Sequence, residues 1–276
     1  MHVIPWPTDR LLKALVIAIS VVVWLLLALS VVGLLYAMLI ALALFFVQLT
    51  LISHVRGNGV KISETQFPEI HRMLVELSLK AGLKKVPEAY IMESGGSLNA
   101  VSTRWLSSTM IILYSDLVEA CQSKPKVLEM VLGHELGHIA EGHLKAAWFL
   151  MPGLSFPFLG KAYSRACEFT CDRYARELSQ DRDATIQGLT LLAVGSAFGS
   201  DVNIKAYTEQ RRSLQSIPMT LGRWMATHPP LCDRVLALIP ELGSISYARA
   251  NVKTAALLLF LMSLPLGAVL LAQALQ

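Results

Sequence analysis

His134-Glu135-Leu136-Gly137-His138 sets the reading of the whole chain, because it puts two imidazoles and a carboxylate at the spacing a hydrolytic zinc site needs. On an α-helix, positions i and i+4 share one face about one turn apart, so both histidines can point a ring nitrogen at the same Zn²⁺. Glu135 is rotated by about 100° from His134, and its longer side chain can reach a water in an open coordination position and serve as its general base. Three such groups on a mostly apolar helix could instead be satisfied core residues, but burying them without a metal or partners is costly. The run Lys126-Val127-Leu128-Glu129-Met130-Val131-Leu132 after Pro125 is apolar-periodic and suits a helix with proline in its first turn.

Apolar residues make up 54% of the 276 and charged ones only 16%, with a mean hydropathy of +0.52. That is too apolar for an ordinary soluble domain. Residues 14–53 carry no charge; as one helix they would measure roughly 60 Å against a hydrocarbon core of about 30 Å. The reading is therefore two spans joined by a tight turn near Ser30–Gly33. A third span is expected over residues 254–274, where Pro265 and Gly267 are tolerable in a membrane helix. A cleaved signal peptide does not fit, because the apolar stretch far exceeds a signal core and no small-residue cleavage site leads into a polar chain. Residues 146–160, broken by Pro152 and Pro157, and residues 184–200, with three glycines, read as interfacial, re-entrant or membrane-facing lid segments rather than full spans.

Arg10, Lys13, Arg56, Lys61, Arg249 and Lys253 flank the expected spans on the side that carries the central residues. By the positive-inside rule the central domain faces the cytoplasm, at the inner (plasma) membrane in a bacterium. The net charge of +4 and the pI of about 8.9 follow from that bias, and no nucleic-acid-binding motif accompanies them. On that side Cys121, Cys167, Cys171 and Cys232 stay reduced. Cys167 and Cys171 share a helix face, but no second thiol pair at ligand spacing supports them as a metal site.

The organisation expected is a hairpin of two transmembrane helices over residues 1–53, one domain over 54–253 and a C-terminal transmembrane helix over 254–276. Within the domain, 67–81 reads as an amphipathic helix ended by Gly82, and 88–92 and 109–114 read as strands around a polar loop at 94–108. Helices are expected around 162–178, 184–199 and 204–214. The fold class is mainly α with a small β-sheet, an α+β catalytic domain with transmembrane helices added.

A catalytic zinc usually takes three protein ligands. Glu141, His143, Glu168, Asp172, Glu177 and His228 could supply the third. If the helix continues regularly, His143 falls roughly 180° from His134 and faces away. Glu168 is preferable because it lies on a separate helix with Asp172 one turn later, where a second carboxylate can accept the free ring N–H of a histidine ligand. By spacing alone, an ordinary surface helix with intrahelical ion pairs explains Arg165–Arg173 equally well.

The set His134-Glu135-Leu136-Gly137-His138 with His143, Glu168 and Asp172 in Cys-Glu-Phe-Thr-Cys-Asp, Thr227-His228-Pro229-Pro230 with Arg234, and Leu98-Asn99-Ala100 resembles the integral-membrane zinc peptidases of the HtpX and CAAX prenyl protease type. The likeness covers most of residues 10–240. It implies a gluzincin-like fold, one Zn²⁺ on His134, His138 and Glu168, Glu135 as base and Asp172 behind a histidine ligand. It further implies that Asn99, Ala100 and the strand with Ile111 and Ile112 hold a substrate backbone, with His228 and Arg234 at the cleft as catalytic helpers. The activity implied is zinc-dependent hydrolysis of peptide bonds in membrane-associated or misfolded polypeptides at the bilayer. This chain departs from the HtpX pattern in the short interval between the metal helix and Glu168. From another class, a noncatalytic zinc-binding membrane assembly factor or scaffold is the alternative; an intact Glu135 argues against it, since a structural zinc needs no adjacent base.

Overall fold

The computed structural model describes residues 3–93, 95–145 and 147–259. Two apolar helices come first, α1 (Asp9–Ala28) and α2 (Val31–Asn58), each long and apolar enough to cross a membrane. The turn falls at Leu29 and Ser30, where the Ser30 hydroxyl accepts a hydrogen bond from the Gly33 amide and caps α2. Apolar side chains at this end face outward, with Leu29 86% and Val31 77% exposed. α2 runs unbroken through the expected boundary at Ser53, and its last turns bury Ile52 and Val55 against Tyr90, Met110 and Ile112.

Those three residues belong to a four-stranded sheet of order β1-β2-β4-β3, formed by β1 (Val60–Lys61), β2 (Glu88–Met92), β3 (Ala100–Trp105) and β4 (Ser108–Tyr114). β4 pairs parallel with β2 and antiparallel with β3, so both of its backbone edges are occupied. Its apolar run Met110-Ile111-Ile112-Leu113 is buried on both faces: Met110 and Ile112 against the end of α2, Ile111 and Leu113 against the main helical core. This corrects the expectation that Ile111 and Ile112 line a substrate strand. They are interior, and the free edge belongs to β3, within the stretch expected to be a loop. Polar residues at Ser102, Thr103 and Arg104 hide this edge strand, and its two-residue turn to β4 uses Leu106 at φ 51° where the usual signal is glycine or asparagine.

After β1 and the helix α3 (Pro68–Lys80), and after the short α4 (Ser115–Ala120) that follows the sheet, come the helices that carry the motifs: α5 (Pro125–Ala140) and α7 (Leu159–Ser179). α5 begins at Pro125 as expected and buries Leu128, Leu132 and Leu136 in the core that also receives Leu74 and Leu77 of α3. α5 packs most extensively on α7. Gly133 and Gly137 allow it: a Cβ at Gly137 would stand 2.9 Å from Tyr174 Cβ, and one at Gly133 would stand 3.1 Å from Ala175 Cα.

Between them, α6 (Ala147–Ser155) covers the first ambiguous stretch. Nine residues long, it reaches only about 14 Å, too short to span a bilayer. It lies on α1, where the Ser20 hydroxyl donates to the Leu150 carbonyl and the Trp24 indole N–H donates to the Phe149 carbonyl. The second ambiguous stretch is corrected. α8 (Arg182–Val194) is a core helix packed on α5, with Leu189 and Leu191 buried and its start capped by Asp181. α9 (Ile204–Glu209), α10 (Ile217–Met225) and α11 (Leu231–Leu238) follow, the last two unforeseen. Residues 248–259 are helical, and the remainder of the expected third span lies outside the described residues.

Gly137→Ala tests the helix contact. Alanine is intrinsically the better helix former by about 0.5–1 kcal/mol, but overpacking costs about 1–3 kcal/mol. The melting temperature of the variant should fall; a rise would show that α5 and α7 are not held at close approach here.

Candidate active site

α5 turns His134 and His138 toward one carboxylate of α7. His134 Nε2 stands 3.4 Å from Glu168 Oε2, and His138 Nε2 stands 3.5 Å from Glu168 Oε1. Charged hydrogen bonds run about 2.7–2.9 Å, so these three donors face one another across a gap instead of bonding tightly. Two imidazole nitrogens and a carboxylate around one point form a donor set that suits a catalytic zinc.

The electrostatics point the same way. Burial opposes charge on His134, yet Asp172 and Glu168 overcome it and pull its imidazole up to about 10. Burial alone would raise the Glu168 carboxyl, but His134 and His138 hold it well below the usual carboxylate range. The pocket favours positive charge where the donors meet, which a divalent cation would supply. Cys171 Sγ also comes within ligand range of both imidazoles. Glu168 fits better, because it meets both Nε2 atoms, whereas Cys171 is fully buried against Gly137 and burial drives its thiol well above its ordinary range.

His134 Nδ1 lies 3.1 Å from Asp172 Oδ1, a contact that, once the ring is neutral, favours the tautomer with Nε2 free. Asp172 is in turn clamped by Arg234, whose Nε donates to Oδ2 at 2.8 Å and whose Nη2 donates to Oδ1 at 2.6 Å. Arg234 Nη1 lies 3.1 Å from Glu168 Oε2. All three guanidinium nitrogens therefore point at carboxylates, and the side chain is 6% exposed. The expected catalytic part for Arg234 gives way to a positioning one: it sets the orientation of Glu168 and Asp172.

Of the other ligand candidates, Glu141 accepts from the Tyr174 hydroxyl and Glu177 is exposed. His143 does not face away as a continued helix would require. α5 stops at Ala140, Gly142 adopts φ 70°, and the turn brings His143 Nδ1 to 3.1 Å from His138 Nδ1. Burial and the neighbouring His138 lower its pKa to about 3, so the ring is neutral. The bend at Gly142 is the sequence signal for this placement.

A cavity of about 380 Å³ opens over the donors, bordered by Glu135 and by Asn99, Ala100 and Ser102 at the start of edge strand β3. Among the described residues no hydrogen bond or ion pair engages Glu135, whose carboxylate is thus available for proton transfer. His228 also borders the cavity; its Nε2 lies 3.6 Å from Glu168 Oε1 and its side chain is 67% exposed.

The model of peptidase family M48 matches residues 64–162 and 146–241, together more than half of the chain. The chain belongs to peptidase family M48. It is 27% identical over 178 residues to the plastoglobule-localized metallopeptidase 48, chloroplastic, of Arabidopsis thaliana, an alignment covering 57% of this chain and 49% of that protein. The chain thus spans about half the length of the curated relative it matches. No solved structure matches. The matched family is one of peptidases, and the relative's name is that of a metallopeptidase.

Removing Arg234 should be more damaging than removing the whole clamp. Breaking a buried pair from one side costs about 3–5 kcal/mol because a charge is left uncompensated. Arg234→Met should therefore melt lower than the Asp172→Leu/Arg234→Met double variant. The opposite order would mean that the guanidinium is not neutralising Asp172.

Proposed function

We propose that the protein is a membrane-anchored zinc endopeptidase in which His134, His138 and Glu168 hold Zn²⁺ and Glu135 is the general base. The convergence of both Nε2 atoms on Glu168, with Glu135 beside them in the cavity, carries this reading. Zinc, when bound, supplies Lewis acidity to the scissile carbonyl and the attacking water. Glu135 accepts the proton of that water and delivers it to the leaving amine. Asp172 holds His134 in the required tautomer, and Arg234 holds Asp172. His228, exposed at the cavity and aimed at the site, is placed to donate to the developing oxyanion.

The substrate lies extended along β3, adding a strand to the free edge, where backbone hydrogen bonds give affinity with little sequence preference. Asn99 and Ala100 border the catalytic cavity, while Thr103, Arg104 and Trp105 border a second, apolar cavity of about 840 Å³ against α2 and α6. Leu144 borders both. One strand edge thus runs from the reacting groups to the flank of a membrane helix, which supports membrane-associated or misfolded membrane proteins as substrates. The basic residues flanking α1 and α2 support a cytoplasmic position for the domain.

Glu135→Gln separates binding from chemistry. Elemental analysis should find one zinc per chain in both wild type and variant, with cleavage of casein or of the chain itself lost only in the variant. Near-normal proteolysis by Glu135→Gln would remove it as the base, and absence of zinc from the wild type would remove the metal assignment.

A further inference from the structure

A second group of potential ligands among the described residues, Asp9 of α1, His143 and Cys167 of α7, lies directly behind His138. We infer that Asp9 and His143 are positioning residues, a relay that fixes the tautomer of His138 and makes the chain ahead of the first apolar helix part of the catalytic machinery. This rests on the assignment of His138 as a ligand through Nε2.

Proton counting carries the argument. A neutral His138 that offers Nε2 to a cation keeps its proton on Nδ1. That atom lies 3.1 Å from His143 Nδ1, and the pair of nitrogens can share one proton only. His143 Nδ1 must therefore accept, which puts the His143 proton on Nε2. Nε2 faces Asp9 Oδ2 at 3.9 Å, an ion-pair distance longer than a hydrogen bond, with both side chains buried. In so dry a setting the carboxylate favours the ring tautomer whose N–H points at it. Asp9 is held there by the Thr170 hydroxyl, which donates to Oδ2 at 2.6 Å, and the Tyr163 ring stands edge-on to His143 at 6.2 Å.

The same count argues against a second metal ion on these residues. A cation on His143 Nε2 would move that ring's proton to Nδ1, force His138 Nδ1 to accept it, and leave a proton on the His138 Nε2 that the catalytic ion requires. Neutral imidazoles cannot serve both ions.

Asp9 is delivered by a strap that grips the outer side of α7. The Trp6 amide donates to Thr170 Oγ1 at 3.0 Å, and the Trp6 ring stacks on Phe169 at 4.4 Å. Arg173 donates to the Ile4 and Pro5 carbonyls at 2.9 Å each. Phe169, Thr170 and Arg173 interleave with Glu168 and Asp172, so the strap braces the turn of α7 that carries the site.

Zinc affinity, measured on the full-length protein by competition with a chromogenic chelator, tests the relay. His143→Leu should weaken binding about 10–100-fold, as loss of a ligand's hydrogen-bond partner does, and Asp9→Ala, one step farther from the ion, should weaken it in the same direction by less. His143→Gln and Asp9→Asn, which keep an acceptor in place, should retain most of the affinity; a merely structural role predicts no such rescue. Cys167→Ala should bind one zinc as tightly as the wild type. Wild-type affinity in His143→Leu and Asp9→Ala, or His143→Gln as weak as His143→Leu, would overturn the relay. A second zinc equivalent lost in Cys167→Ala would replace it with a metal site. A wild type that binds no zinc would overturn instead the ligand assignment beneath it.

Discussion

The close approach of α5 and α7 is the constraint on which the site depends. Gly133 and Gly137 sit one turn apart on α5, and the surface of α7 they meet is Cys171, Tyr174 and Ala175. With side chains at both glycines the helices would stand farther apart, and Glu168 would no longer face His134 and His138 within 3.5 Å. The second glycine lies inside the His134–His138 motif itself, so one five-residue stretch supplies both proposed ligands and the room for the helix that brings the proposed third. Helix contacts made through small residues are rigid because little side-chain freedom remains at the seam, and a metal site benefits from that rigidity.

The second constraint is charge. Glu135, Glu168 and Asp172 are all buried around the site, and Arg234 is the buried cation that answers them. One guanidinium tied to two of the three leaves the donors in a field that still attracts a positive ion. The bidentate geometry also fixes orientation: Arg234 holds Asp172, Asp172 holds His134, and each link is a charge-assisted hydrogen bond in a dry environment. Such a chain explains why Arg234 sits on a helix that begins just after Pro229 and Pro230, a start set by backbone rigidity.

Much of this was legible in the residues. Periodicity located the apolar hairpin, β2, β4 and α5, because strong apolar patterning at period 3.6, or continuous burial in a central strand, leaves a clear mark. Helical spacing put His134 and His138 on one face, whereas spacing alone left Glu168 and Asp172 open to an ordinary surface helix, and the fold brings all four together. What the residues alone do not show depends on tertiary pairing. β3 is polar and becomes a strand only because β4 offers it an edge, and α8 looks membrane-like because it is buried by protein. The expectation that His143 faces away extends a helix that Gly142 ends. Resemblance puts Arg234 at the cleft, and only the fold shows that its three nitrogens are already committed.

X-ray absorption at the zinc edge of the purified, zinc-loaded protein tests the central claim most directly, because it reads the atoms around the ion without reference to activity. The account predicts a first shell of nitrogen and oxygen alone at about 2.0–2.2 Å, with the outer-shell pattern of two imidazoles. A sulfur neighbour at about 2.3 Å would contradict it, placing Cys171 where Glu168 is assigned.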